Sequence, residues 1–287
     1  PSTGSIGLGI LTQSARGVSG DGLVVVGGSG SLLGDMAYRW TEQSGVVGLG
    51  YLPGHGKSTA YAASFDGSVI VGESSAIGGG QTQAFRWTQA SHMVDIGPGV
   101  AYDISDDGSV VVGSNYAGSG FRWTDATGQV IVGPGQATAI SSDGSVVVGY
   151  GSFDSLGTRG WVWSQSGGLE TVGELAGGGG RSEIHAVSGG GDIAVGSSDG
   201  PFGEEAIMWD RTHGIRSITG VLRDDFDFHL DGLSLTRAHG ISEDGRVIVG
   251  FGTNPNTSPS QFAWRLTLPE PSTAFLLLFG CTLVVRR

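Results

Sequence analysis

The sequence predicts an all-β chain, a six-bladed β-propeller of four-stranded blades over residues 1–268, followed by a short hydrophobic C-terminal helix. Three observations predict it. A hairpin element recurs six times, an aromatic element follows each copy, and the tally of strands is permuted between the two chain ends.

The hairpin element reads small-x-small-apolar-Ser, two residues, then Gly and a Val/Ile run closing on Gly. It appears as Ala15 to Gly27, Ala60 to Gly72, Ala101 to Gly113, Ala137 to Gly149, Ile184 to Gly196 and Ala238 to Gly250. The turn glycines Gly22, Gly67, Gly108, Gly144, Gly191 and Gly245 recur 36 to 54 residues apart. A four-stranded blade occupies about 40–50 residues, which fits that period. The Asp-Gly pair in most copies predicts a type I′ hairpin turn between the first strand, a, and the second, b. The Val-rich b strand is apolar on both faces, as a strand covered from both sides should be.

The aromatic element defines strand c: Tyr38-Arg-Trp40, Phe85-Arg-Trp87, Phe121-Arg-Trp123, Trp161-Val-Trp163, Ile207-Met-Trp209 and Phe262-Ala-Trp264. Its period-2 spacing places both large residues on one sheet face. A last apolar run gives strand d, as in Val46 to Gly50 and Met93 to Gly97. Strands a to c occur six times, but d follows them only five times. The missing d is found at Ser5-Ile-Gly-Leu-Gly-Ile-Leu11. The N-terminal strand is therefore expected to complete the last blade and close the ring, removing exposed sheet edges. The insertion from Thr219 to Thr236 spaces Val221, Leu222, Phe226 and Leu230 as one short helix outside the blade.

Composition agrees with many short strands and tight turns: 55 glycines in 287 residues, 38% hydrophobic and 15% charged. The net charge of −12 repels polyanions and argues against nucleic acid as a partner. The single cysteine, Cys281, leaves no disulfide framework or thiolate metal site. The chain begins at Pro1 and shows no signal peptide, so a leader is either removed or missing.

The Ala-x-x-Ile-Ser-x-Asp-Gly-x-Val-Val-Gly…Phe-Arg-Trp-Thr…Leu-Gly pattern over residues 5–268 resembles the bacterial HAF extracellular repeat. That resemblance implies a secreted or surface propeller-like protein and implies little about activity. The fifth copy departs from it, since Ser188-Gly-Gly-Gly-Asp192 lacks the turn aspartate. Residues 269–287 resemble a PEP-CTERM sorting signal: Pro269-Glu270-Pro271, a hydrophobic stretch, then Arg286-Arg287. The resemblance implies recognition of Pro269, Glu270 and Pro271 by an exosortase-type protease, cleavage of the tail, and release or attachment at the surface of a Gram-negative-type bacterium. It also associates the chain with biofilm and extracellular polysaccharide. As a helix, residues 273–285 would span about 20 Å, short for a permanent anchor and suited to transient membrane insertion. The terminal arginines would stay on the cytoplasmic side.

Apparent chemistry is mostly structural. Gly54-His-Gly-Lys-Ser-Thr59 lacks the first glycine of a phosphate loop and precedes a strand. Asp21, Asp66, Asp107, Asp143 and Asp244 recur one per hairpin, so they read as turn residues and not as a converging calcium site. No metal or cofactor is expected. The acidic insertion Asp224, Asp225, Asp227, His229 and Asp231 reads as a solvated helix and loop. The candidate binding residues are those at the second position of strand a: Arg16, Tyr61, Tyr102, Thr138, His185 and His239. Strand a is innermost in a propeller, so these six could line a ligand funnel. Inter-blade packing is the plainer reading of the same residues.

Three functions remain open. One is an exported, non-catalytic surface or matrix propeller binding polysaccharide or protein, which the sequence favours. The second is a polysaccharide hydrolase or lyase with its site at the funnel. The third is a purely structural matrix protein. No catalytic residue is identified, because the repeat offers no carboxylate pair at a non-turn position.

Overall fold

The computed structural model describes residues 12–30, 35–78, 80–153, 157–254, 256, 260–268 and 282–286. These build six four-stranded antiparallel sheets, with each strand beside its sequence neighbour. Sheet 1 holds β1 (Thr12–Val18), β2 (Val25–Ser29), β3 (Ala37–Thr41) and β4 (Gly45–Gly50). Sheet 2 holds β5 (Lys57–Ala63), β6 (Val69–Ser75), β7 (Thr82–Thr88) and β8 (His92–Pro98). Sheet 3 holds β9 (Val100–Ile104), β10 (Val111–Ser114), β11 (Ser119–Thr124) and β12 (Gly128–Pro134). Sheet 4 holds β13 (Gln136–Ile140), β14 (Val146–Ser152), β15 (Thr158–Ser164) and β16 (Gly168–Gly173). Sheet 5 holds β17 (Ser182–Val187), β18 (Ile193–Gly200), β19 (Gly203–Asp210) and β20 (Gly214–Ser217). Sheet 6 holds β21 (Ser234–Ile241), β22 (Val247–Thr253), β23 (Gln261–Thr267) and β24 (Thr282–Arg286). The chain forms two compact units, 1–131 and 132–287, with the division falling within β12.

The core lies between neighbouring sheets within each unit. Ile70 of strand b in sheet 2 packs with Val26 of sheet 1, while the next residue, Val71, packs with Val111 and Phe121 of sheet 3. Val148 of sheet 4 meets Ile184 and Ile207 of sheet 5, and Val195 of sheet 5 meets Ile248 and Trp264 of sheet 6. Strand b is thus buried on both faces, as its composition requires. Buried serines clamp adjacent sheets. Ser58 Oγ accepts from Ala37 N (2.8 Å) and donates to Gly50 O (2.7 Å). Ser182 Oγ likewise accepts from Gly160 N and donates to Gly173 O.

The hairpin turns differ from the expected type I′. Of each Asp-Gly pair only the glycine has positive φ, as at Gly22 (75°) and Gly67 (65°). The turn instead closes with Gly22 N donating to Ser19 O at 2.9 Å and Ser19 N to Val24 O at 2.8 Å. The reason lies in the preceding serine. Ser19 Oγ donates to Asp21 Oδ1 (2.6 Å) and accepts from Val24 N (2.9 Å), while Leu23 N donates to the same carboxylate. This side-chain lattice stabilises a wider loop with Asp at negative φ. It recurs at Ser64–Asp66, Ser105–Asp107, Ser141–Asp143 and Ser242–Asp244.

The sixth copy sits in a different register from the one its sequence suggests. In sheets 1 to 5 the glycine closing strand b pairs with the first residue of the aromatic element: Gly27 with Tyr38, Gly72 with Phe85, Gly113 with Phe121, Gly149 with Trp161, Gly196 with Ile207. In sheet 6 Gly250 pairs with Trp264 and Ile248 with Leu266. The sixth element is therefore Trp264-Arg265-Leu266-Thr267, matching Phe85-Arg86-Trp87-Thr88, and Phe262 lies two pairs further out, opposite Gly252. Leucine at the usual tryptophan position hides this in the sequence. Leu266 is nonetheless almost fully buried and fills that place in the core.

The last sheet also takes its fourth strand from an unexpected source. β24, within the tail, pairs with β23 through Arg265↔Val284 and Leu266↔Leu283. The expected N-terminal strand, Ser5–Leu11, lies outside the described residues, as does the sorting motif Pro269–Pro271. Of the expected hydrophobic helix 273–285, residues 273–281 lie outside the described residues and 282–285 are strand. Thr-Leu-Val-Val has strong β propensity, and a free strand edge satisfies its backbone groups.

The helix expected in the long insertion is α1 (Ile218–Phe226). Ser217 caps it by accepting from Gly220 N at 2.9 Å. Ile218, Val221 and Leu222 are buried against β19, β20 and β21.

Candidate binding surface

Each candidate residue occupies the same unusual backbone position. In sheet 2 Ala60 pairs with Gly72 and Ala62 with Val71, so Tyr61 is the extra residue of a β-bulge. The register skips Arg16, Tyr102, Thr138, His185 and His239 in the same way. A bulge bends the strand and re-aims the extra side chain. The glycine opposite makes it possible. A Cβ on Gly72 would overlap the Thr59 carbonyl oxygen, and one on Gly196 the Glu183 carbonyl oxygen.

The bulges bring consecutive candidates together within each unit. In the first, the Arg16 guanidinium lies 5.1 Å from the Tyr61 ring centroid, and Tyr61 meets Tyr102 edge to face at 5.8 Å. In the second, His185 and His239 stack at 5.1 Å, flanked edge-on by Tyr150 and Phe251 respectively. Thr138 is the exception. Its hydroxyl donates to Ile184 O at 2.9 Å, so it ties sheets 4 and 5 together and fits the packing reading.

Charged groups sit behind these rings. Tyr61 Oη donates to Glu73 at 2.9 Å, and burial together with that carboxylate raises the Tyr61 pKa to about 12. Burial, and then the neighbouring His239, lowers the His185 pKa to about 4, so its imidazole is neutral at pH 7. His239 is also lowered, by burial and by Arg237. Glu183 is buried, is held by Arg181 at 2.6 Å, and lies 3.7 Å from His185 Nε2. Arg237 pairs with Glu204 at 2.9 Å. Sequence reasoning missed Glu73, Glu183, Tyr150 and Phe251. Glu73 and Phe251 lie on the strands paired to those of Tyr61 and His239, Glu183 lies two residues before His185 on its own strand, and Tyr150 reaches His185 from β14 of the preceding sheet. Each cluster is thus aromatic or imidazole at its face, with a carboxylate beside it that accepts a hydrogen bond or faces an imidazole.

A hollow of about 600 Å³ lies on one face of sheet 6, lined by His239, Val249, Phe251, Ala263 and Arg265. Val249 is 42% and Phe251 55% exposed there. The equivalent valines of the other sheets, Val26, Val71, Val112, Val148 and Val195, are fully buried. Sheet 1 shows the converse. Ala15 is exposed, whereas Ala60, Ala101, Ala137, Ile184 and Ala238 at the same position are fully buried.

The turn aspartates form no common site. Each is held in its own hairpin, and serine hydroxyls and backbone N–H groups keep their carboxyls below the usual range. In the acidic insertion, Asp224 pairs with Arg223 and Asp225 with Arg216. Among the described residues no cluster of metal-ligating side chains occurs, and no helix is long and apolar enough to cross a membrane.

No protein-family profile matches the chain, and no curated protein matches it. Solved structures do. A putative TolB from Agrobacterium tumefaciens aligns with a TM-score of 0.52 at 15% identity, over 89% of this chain and 90% of that one. An oligogalacturonate lyase solved with manganese aligns at 0.54 and 16%, over 88% and 73%. A prolyl endopeptidase aligns at 0.56 and 13%, over 89% of this chain and 41% of its own. The chain spans 51% of a second TolB, from Acinetobacter baumannii. The likeness is one of fold. The chain is an all-β, β-propeller-like protein of four-stranded antiparallel sheets, similar to TolB-like propellers.

Proposed function

We propose that this chain is an exported, non-catalytic six-bladed propeller of the bacterial surface or matrix that binds a neutral polysaccharide through its bulge residues. The observation that carries the reading is the six-fold recurrence of one bulge, each placing a polar or aromatic side chain on strand a. Ring faces such as Tyr61, Tyr102 and His239 suit the apolar faces of sugar rings, and flanking carboxylates and neutral imidazoles suit hydroxyl groups. The net charge of −12 disfavours an acidic polymer.

Ring closure is supported by the two open faces. The Val249 face of sheet 6 has the apolar character that elsewhere packs on the Ala15-type face of the next sheet. Export, processing by an exosortase-type protease at Pro269-Glu270-Pro271 and transient membrane insertion through 273–285 rest on the tail's sequence pattern.

The test is a glycan array probed with the full chain, with Tyr61→Ala and His239→Ala variants, and with a turnover assay on any bound glycan. Binding weakened at least tenfold in both variants, without turnover, supports the reading. Unchanged binding in both variants contradicts the bulge site, turnover favours an enzyme, and no bound glycan favours a structural matrix protein.

A further inference from the structure

We infer that the gap between His185 and Glu183 is a proton-operated latch: a proton taken up by His185 draws its imidazole onto Glu183, parts it from His239 and breaks the row of rings in the second unit. The consequence rests on the proposed function: the neutral row is the form that holds ligand, and acid releases it. The row crosses three sheets. Tyr150 on β14, His185 on β17, His239 on β21 and Phe251 on β22 follow one another with centroids 5.9, 5.1 and 5.4 Å apart. A shift of His185 therefore undoes two of the three contacts, those to Tyr150 and to His239.

His185 has somewhere to go. Its Nε2 is buried and has no hydrogen-bond partner among the described residues, yet Glu183 Oε2 stands 3.7 Å away. That separation is too long for a hydrogen bond, but a charge-assisted N–H···O bond spans about 2.7–2.9 Å, so a move of about 1 Å makes one. Glu183 has the oxygen to receive it. Arg181 Nε and Nη2 donate to Oε1 at 3.1 and 2.6 Å, while Oε2 faces the imidazole. The first unit shows the closed form of the same relation, with Tyr61 Oη already bonded to Glu73 at 2.9 Å.

The surrounding charges make the neutral form the resting one. Around the pair stand Arg181 and Glu183 on β17, Asp199 on β18, Glu204 on β19, Arg237 on β21 and Arg265 on β23, with Tyr150 facing from β14. Arg181 is paired with Glu183 and Arg237 with Glu204, so both carboxylates nearest the imidazoles are already matched by a guanidinium. Burial, then His239 and Arg237, favour the neutral His185, while Glu183 pulls the other way, and the proton arrives near pH 4. It lands on a ring whose nearest opposite charge is Glu183 Oε2. A ligand seated on the neutral row opposes that step, and the step opposes the ligand to the same degree.

Histidine NMR of the labelled full chain, carried from neutral pH down through the His185 step, tests this. Spectra of His185→Phe and His239→Phe assign the two signals, and far-UV circular dichroism monitors folding. The ring-current shift that His239 receives from His185 should vanish in one step with protonation of His185, with the far-UV signal unchanged. In Glu183→Gln the step should move down by at least about 1 pH unit, because the opposite charge is gone. A ring-current shift retained after His185 is protonated would overturn the latch, as would an unmoved midpoint in Glu183→Gln or unfolding of the chain before His185 takes its proton. If Glu183→Gln does not fold, the ring-current measurement on the unmodified chain decides alone. For a neutral glycan bound at neutral pH, affinity should fall at least about tenfold across the same step, and an unchanged affinity would overturn the release. The NMR samples contain no glycan, so failure of the latch and failure of the ligand reading remain distinct.

Discussion

His185 and His239 stack with ring centroids 5.1 Å apart and planes 24° apart, each the extra residue of its own bulge. Two imidazoles in that arrangement cannot both hold a proton cheaply, which adds to the effect of burial on His185. The pair remains neutral near pH 7, as hydrogen-bonding faces and not as charges.

That relation sets a pH dependence. His185 has a folded pKa of about 4 against 6.5 when unfolded, so the unfolded chain binds the extra proton between these values. Stability is complete above pH 6.5 and falls as pH drops toward 4, by about 3 kcal/mol for a shift of that size. His185→Phe should flatten denaturant-derived stability across that window. An unchanged slope would show that His185 titrates normally. The turn aspartates contribute lower down, where acid breaks their serine bonds.

The bulges depend on glycine. Gly72→Ala should destabilise the chain by at least about 2 kcal/mol, because the new Cβ meets the Thr59 carbonyl oxygen and the strand cannot yield without undoing the bulge. Gly22→Ala, with open space at its Cβ but a φ of 75°, tests backbone strain alone and should cost about 1 kcal/mol. Chemical denaturation of both variants separates close approach from dihedral preference. Equal losses would remove the bulge argument.

Much of this fold was legible in the sequence. Six copies, four strands apiece, the insertion helix and the turn role of the aspartates follow from spacing and residue type. The six candidate positions were legible too, through the small-x-small pattern around them. The bulges were not, because an extra residue becomes visible only when two strands are counted against each other. The register of sheet 6 was hidden for a related reason. Phe262-Ala-Trp264 has the expected spelling, yet Leu266 buries the tryptophan's place as well as tryptophan would. Glu183 beside His185 was unreadable, since nothing in a single strand tells which neighbours turn inward at a bulge.

The corrected register predicts how Trp264 responds to substitution. It occupies the position of Phe85 and Phe121, and its buried indole Nε1 has no hydrogen-bond partner among the described residues, whereas Trp161 Nε1 donates to Pro134 O at 2.9 Å. Trp264→Phe should change stability by no more than about 1 kcal/mol, since a smaller ring is offset by removal of an unpaired donor. Trp264→Ala should cost about 3–5 kcal/mol. Urea unfolding of the two variants checks this, and a large loss in Trp264→Phe would contradict the assigned register.

The proposed function takes the chain as a closed six-bladed propeller, and Val249 tests that premise directly. Thermal and urea unfolding of Val249→Asp should be compared with Val195→Asp, the equivalent valine fully buried between sheets 5 and 6. Both should be measured on protein shown to be monomeric by sedimentation. A closed ring predicts that Val249→Asp costs at least about 2 kcal/mol, approaching the loss in Val195→Asp, because a carboxylate is then buried without a partner. A change within about 0.5 kcal/mol would mean that this face stays in water and that the sheets do not close.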